Sequence, residues 1–266
     1  MDVARVHEIE AAESEYLCSR VETLLGISGN PYDAHVFFNV DFPCFHVKAY
    51  PSPMLNRIYG DIARAPSALL RLLDESAQLS TVTPLVGKPS ALGRYAFVGD
   101  VRLERLRGWS HLQFACAIEK VVLSRHPFEI EEVTSQTLAL FADVHAGAFH
   151  TKPEHRLLNQ ASFAGMGAGG RLRLYVLSVD GNVVAGASMF LASNGIAYLG
   201  TAATQRDARG FGYHGALISH RIEQAKKHGC HWVAATALAG SQSRRNLLRA
   251  GLAVSHAQAL YRLSDV

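Results

Sequence analysis

IAYLGTAATQRDARGFGYHGALISHRIEQAKKHG, residues Ile196–Gly229, runs from a short apolar strand pattern through a loop carrying Arg209, Gly210 and Gly212 into an amphipathic stretch. That stretch ends in Lys226, Lys227 and His228 with Gly229 beyond, the basic last turn and glycine C-cap of a helix. A loop that only turned the chain would tolerate many sequences. Two glycines in front of a helix suit a loop whose backbone N–H groups must come close to a ligand, because a Cβ would obstruct the approach. The first N–H groups of a helix have no intrahelical partners and sit at the positive end of its dipole, so this stretch reads as an anion cradle. Arg209 adds a charge able to hold phosphate through two donors.

Two common phosphate loops do not fit. Gly210–Gly215 spells GxGxxG, but a dinucleotide fold requires it after the first strand of a βαβ unit, and here hairpins precede it. No GxxxxGK[ST] occurs in the chain. Working outward, Arg171–Val179 and Asn182–Ala192 read as strands joined by the strong turn Asp180-Gly181. Ser193-Asn194-Gly195 turns into Ile196–Thr204, read as one strand. Upstream, His126–Glu132 is extended and Thr134–Phe149 helical; downstream come a strand at Cys230–Leu238, a short helix at Ser241–Ala250 and a strand at His256–Leu263.

The first half begins with a helix over Glu8–Leu25, closed by Gly26, and continues with strands at Ala34–Val40, Cys44–Tyr50 and Met54–Asp61. Pro66 opens a helix through Leu79, and Ser80–Val86 and His111–Val122 are strands on either side of the loop-rich Gly87–Asp100.

Composition narrows the function. The 266 residues, 48% of them apolar, are enough for one large domain or two ordinary ones with real cores. A net charge of +3 spread along the chain gives little support to nucleic-acid binding. The four cysteines form no CxxC pair, which argues against a zinc ribbon or disulfide framework and for a reducing, cytoplasmic setting. Neither a signal-peptide pattern nor an apolar run of membrane-spanning length is present, so no membrane association is expected. Among the 13 histidines, His228 and His231 lie beside Cys230, but strand alternation would send Cys230 and His231 to opposite faces, and no metal site is expected.

The order of elements around the quoted stretch resembles the core of the Gcn5-related N-acetyltransferase (GNAT) superfamily, whose acyl-CoA loop follows Q/R-x-x-G-x-G/A. Arg209-Gly210-Phe211-Gly212-Tyr213-His214 matches it except at His214, where the family keeps a small residue. Ser241–His256 is similar to the family's S-x-R-x-x-x-x-x-G-F region, with Leu252 for the aromatic. The resemblance covers residues 130–266. It implies an α/β (α+β) fold with a central mixed, mostly antiparallel sheet flanked by helices. It also implies acetyl-CoA or another acyl-CoA as donor, with pantetheine along Leu199, Gly200, Thr201, Ala202, Ala203 and Thr204. Pyrophosphate would lie on Arg209, Gly210, Phe211, Gly212, Tyr213 and His214. Ser243 would flank the pantetheine arm, or else cap its own helix.

Direct acyl transfer needs a deprotonated amine, a polarised thioester carbonyl and a proton for the leaving thiolate. The family's usual groups for this are missing: its acidic tyrosine position is Leu247, and Ile196–Thr204 contains no carboxylate. The available replacements are Tyr198, His145, His150, His256 and Tyr261. Phe149, His150, Phe163, Met166 and Met189 are expected to give the acceptor pocket a mixed lining.

The first half repeats the order strand, loop, helix, strand, and resembles the degenerate N-terminal copy of tandem superfamily members. Its loop, Asp61–Pro66, has no glycine and a proline in place of one amide donor, so no acyl-CoA is expected there. The expected domains are 1–125, shaping the acceptor pocket, and 126–266, binding acyl-CoA. The leading expectation is an N-acyltransferase acting on an amine of a small molecule or short peptide. O-acyl transfer, carrier-protein transfer, thioester decarboxylation and a non-catalytic CoA sensor stay open, as does a homodimer.

Overall fold

The structure is a computed structural model and describes residues 3–38, 43–60, 65–76, 78–85, 93–121, 123–166 and 170–263. In chain order the elements are α1 (Val3–Leu25), β1 (Ala34–Phe38), β2 (Pro43–Val47), β3 (Arg57–Ile58), α2 (Pro66–Glu75), β4 (Ser80–Leu85), β5 (Tyr95–Val98) and β6 (Val101–Ala117). Then come β7 (Glu129–Glu132), α3 (Leu138–Ala148), α4 (Arg156–Ala161), β8 (Leu172–Val179), β9 (Asn182–Leu191), β10 (Ile196–Leu199) and β11 (Ala202–Thr204). The chain closes with α5 (Tyr213–Lys227), β12 (Trp232–Leu238), α6 (Gln242–Arg249) and β13 (Ala253–Leu263). These form two compact units, Met1–Gln113 with Ser255–Val266, and Phe114–Val254.

In the first unit β1, β2 and β3 pair antiparallel, β3 pairs parallel with β4 across α2, and β13 adds antiparallel to β4. Val6, Ile9, Tyr16, Leu17, Val21 and Leu24 recur at helical spacing along α1 and are all buried. Pro66 stands in the first turn of α2, where its missing N–H costs nothing. Residues 61–64 of the glycine-free loop before it lie outside the described residues. The segment read as loop, Gly87–Asp100, contains β5, which forms a hairpin with a much longer β6 than sequence patterning indicates.

The second unit is built on a sheet in which β7, β8, β9 and β10 pair antiparallel and β10 pairs parallel with β12 across α5. Asp180 and Gly181 both have positive φ (49° and 75°), as the tight hairpin between β8 and β9 requires. The sheet is covered on both faces. Phe141 of α3 packs so closely on Gly186 that a Cβ there would fall 2.9 Å from the ring. Tyr175 pairs with Ala187, one residue along, and meets the His220 ring of α5 edge-on at 4.9 Å. Since neighbours on a strand face opposite ways, α3 lies on the Gly186 face and α5 on the Tyr175 face. The structure adds α4, absent from the sequence reading, which packs beside α3. The four cysteines are unpaired, and no helix among the described residues is long and apolar enough to cross a membrane.

Candidate functional site

The segment Ile196–Thr204, which sequence alone renders as one strand, is two. Residues Ile196–Leu199 of β10 pair with Trp232–Ala235 of β12. After Gly200-Thr201 the chain continues as β11, which pairs only with β9 among the described residues. The sheet therefore parts between β11 and the distal end of β12, leaving one edge of β11 without a strand partner. Such an edge offers alternating N–H and C=O groups to an extended, amide-bearing ligand.

At the end of β11 the chain enters the loop that leads into α5. Gly210 (φ 94°) and Gly212 (φ 89°) are both left-handed, and a Cβ on either would meet nothing within 4 Å. Glycine is thus required by conformation, and the space that its side chain leaves open faces no other protein group. Gly212 is the N-cap of α5 and supplies no side-chain cap, so the first-turn amides rely on a partner from outside the helix. Arg209 is exposed, its Nε donating to the Thr204 carbonyl at 3.3 Å. Phe211 stacks on Tyr213 at 5.8 Å, and Tyr213 meets Phe128 edge-on at 4.9 Å, which braces the loop from one side.

His214, which departs from the family pattern, does not close the loop. Its Nδ1 accepts from the Asn246 amide of α6 at 2.8 Å, so the ring is directed at α6. Burial, reinforced by the Arg221 guanidinium, pushes its pKa down from 6.5 to about 4. The folded state therefore binds this proton less readily than the unfolded state. Its contribution to stability is complete above the unfolded value and is lost as pH falls from 6.5 towards 4. A His214→Gln variant is expected to lose less stability than the wild type between pH 7 and pH 4, read from urea unfolding at each pH.

The remaining candidates separate. Ser243 is half-buried in the first turn of α6, but the cap is Ser241, whose Oγ accepts from the Arg244 N–H at 3.1 Å. The N-cap reading of Ser243 is thereby corrected: the helix starts at Gln242, two residues earlier than a cap at Ser243 would allow. Leu247 is buried. Tyr198 is buried too, and its pairing with Phe190 puts it on the α3 face. His150 is exposed and left-handed (φ 52°) just after α3. Phe163 and Met189 are fully buried core residues, and Met189 belongs to the α5 face, so neither lines an open pocket. His256 and Tyr261 lie on β13 in the first unit. There the Nε2 of His256 is 2.6 Å from Glu10 Oε1, and the Tyr261 hydroxyl donates to the Gly93 carbonyl at 2.9 Å. No group of three His, Cys, Asp or Glu side chains among the described residues is placed to hold a metal.

The structure brings together a group that sequence reading assembled only in part. His145 of α3 is nine-tenths buried, with Nε2 3.0 Å from Thr201 Oγ1 and Nδ1 3.1 Å from Asn159 Nδ2 of α4. Thr201 is the residue at which the strand leaves β12. Asn159 carried no sequence signal, since it sits in a six-residue helix that sequence periodicity does not reveal.

The geometry has counterparts among known proteins. No curated protein matches the sequence. A GCN5-related N-acetyltransferase from Kribbella flavida superposes with a TM-score of 0.61 at 14% identity, over 95% of this chain and 96% of that one. A conserved protein of unknown function from Staphylococcus epidermidis gives 0.60 at 12% identity, over 88% and 96%. A GCN5-related N-acetyltransferase from Sphaerobacter thermophilus gives 0.52 at 16% identity, over 77% and 71%. At these identities the superpositions speak for the fold. Residues 102–239, just over half of the chain, match the acetyltransferase (GNAT) domain family, and with the parted sheet and glycine loop in place the chain belongs to that family.

Proposed function

We propose that the second unit is an acyl-CoA-dependent N-acyltransferase that moves an acyl group, acetyl being the first to test, directly to an amine of a small molecule or short peptide. The observation that carries the reading is the pair of left-handed glycines at the N-terminus of α5, at the end of a strand that has parted from its neighbour. Gly210 and Gly212 fit a bound pyrophosphate, because the space where their side chains would stand is open. Arg209 and the amides of residues 210–214 would hold the pyrophosphate, the segment Leu199–Thr204 would receive pantetheine, and Ser243 would flank it. Bound acyl-CoA supplies the activated acyl group as a thioester.

The protein's part is to orient the thioester, exclude water from it and admit the amine in its unprotonated form. Tyr198 and His150 stay with the second unit as candidates near the acceptor side. His256 and Tyr261 have no step in this reading, being occupied in the packing of the first unit. A cytoplasmic setting fits both the acyl donor and four unpaired thiols. We also propose that the first unit is a degenerate copy of the second. In its favour, β1, β2, β3, α2 and β4 repeat the pairing pattern of β8, β9, β10, α5 and β12.

Titration calorimetry with acetyl-CoA, longer acyl-CoAs and free CoA is expected to show saturable binding to a single site. No binding to any of them overturns the proposal. The buried Leu247 at the family's tyrosine position favours one second reading, a CoA sensor without turnover. Saturable binding with no thiol release across an amine library would select it.

A further inference from the structure

His214 stands where the family keeps a small residue, and its bond to α6 shows what the larger ring does. The residues of α6 and its caps, Ser241–Ala250, include three arginines and no acid. We infer that two of them, Arg245 and Arg249, hold the 3′-phosphate on the adenosine of the bound acyl-CoA. This assignment rests on the acyl-CoA reading above and deepens it.

Topology puts α6 beside the glycine loop. β10 and β11 both run antiparallel to β9, and β10 runs parallel to β12, so β11 and β12 end on the same side of the sheet. The helices that follow them, α5 and α6, therefore start at the same end and pack against each other. Asn246 Nδ2 donates to His214 Nδ1 at 2.8 Å, which ties α6 to the first turn of α5.

Two guanidiniums hang on that tie. Asn246 Oδ1 accepts from Gln242 Nε2 at 2.9 Å and from Arg249 Nη1 at 3.3 Å. Gln242 Oε1 accepts from Arg245 Nε at 2.8 Å and from its Nη2 at 2.6 Å. Both arginines are exposed and oriented by neutral amides, and among the described residues neither pairs with a carboxylate. A guanidinium has more N–H donors than these bonds use, so each keeps some for a ligand. Like charges four residues apart on a helix repel, a cost that an anion held between them removes.

The charge of the pair selects the anion. A phosphate monoester carries about −1.5 to −2 at neutral pH. The 3′-phosphate is the monoester of CoA, and only the ribose separates it from the pyrophosphate assigned to Arg209 and the amides of residues 210–214. Two guanidiniums on the neighbouring helix match it in charge and offer paired donors to its oxygens. The phosphopantetheine of a carrier protein lacks this phosphate, so the same pair favours a free acyl-CoA over a carrier-bound donor. His214 is a positioning residue in this scheme: it holds Asn246, and through it the arginines, at the first turn of α5.

Titration calorimetry of the full chain with CoA and with 3′-dephospho-CoA, at one ionic strength, tests the assignment. CoA is expected to bind about 10- to 100-fold tighter, the range that charge-assisted hydrogen bonds supply. Arg245→Gln combined with Arg249→Gln should bring CoA down to the affinity of dephospho-CoA and leave dephospho-CoA unaffected, with unchanged circular dichroism. Wild-type protein that binds the two alike, or a double variant that still separates them or weakens both equally, overturns the assignment and leaves the acyl-CoA reading standing. Absence of binding of either by the wild-type protein overturns that reading, and this assignment with it.

Discussion

Replacing Arg209 with Ala and Gly212 with Asp in one chain is expected to weaken acetyl-CoA binding by about 10²- to 10⁴-fold in titration calorimetry. The arginine contributes charge-assisted hydrogen bonds worth ~1.5–3 kcal/mol to a phosphate, and a carboxylate at the helix N-terminus opposes the anion on a similar scale. Together that is ~3–6 kcal/mol, and each ~1.4 kcal/mol is tenfold in affinity. Gly212 adds strain to the effect, since its φ of 89° is one that an aspartate adopts only reluctantly. Both residues are exposed, so the far-ultraviolet circular dichroism should not change. Normal binding by this variant would show that the phosphate lies elsewhere.

Arg57→Met is expected to destabilise the first unit by about 3–5 kcal/mol in urea unfolding, the usual cost of leaving a buried charge without its partner. Arg57 is 2% exposed, and its Nη1 lies 3.4 Å from Glu13 Oε2 while donating to the Tyr59 hydroxyl at 2.9 Å. Its Nε donates to the Pro53 carbonyl at 2.8 Å, so the guanidinium ties a loop, a strand and α1 together. Glu13 also accepts from Tyr59 at 3.0 Å and Gln258 at 2.5 Å, donors too weak alone to hold a buried carboxylate. The neighbouring Glu10 shows the cost of the setting: burial raises its pKa, and the His256 hydrogen bond only partly opposes the rise. Adding Glu13→Leu to Arg57→Met should recover much of the loss, because the pair is then removed as a whole. Failure of the second change to restore stability would mean that Arg57 acts through Pro53 and Tyr59 instead.

What the sequence made legible followed from local signals. The Asp180-Gly181 hairpin, the α5 helix and its glycine C-cap each depend on a few adjacent residues, and Gly229 has the positive φ (73°) its position demands. The first part of β6, Val101–Ser110, was hidden because its alternation is interrupted: Leu103 is buried, but apolar Leu106 falls on the other parity, and Gly108 is left-handed (φ 79°). The break at Gly200-Thr201 was hidden for a different reason. It is a property of which strand lies alongside, and Ile196–Thr204 reads equally well as one strand or two. The site divides the same way. The glycine loop is contiguous and was legible, whereas His145, Asn159 and Thr201 come from three elements, with 14 and 56 residues separating His145 from its partners. A pattern within one element cannot report that meeting.

The placement of β13 bears on how the chain is made. The second unit is continuous in sequence, Phe114–Val254, but the first needs Ser255 onward to complete its sheet beside β4. During synthesis the N-terminal segments therefore wait, with the β4 edge and the Glu10 carboxylate lacking their β13 partners, until the later unit has emerged. The unit begun first is finished last. Its closing step is a contact across some 170 residues between Leu85 and Ala257, the kind of long-range pairing whose loop entropy slows folding. An early-emerging, strand-edged segment held open for that long is the part of this protein most exposed to wrong pairing with a neighbouring nascent chain.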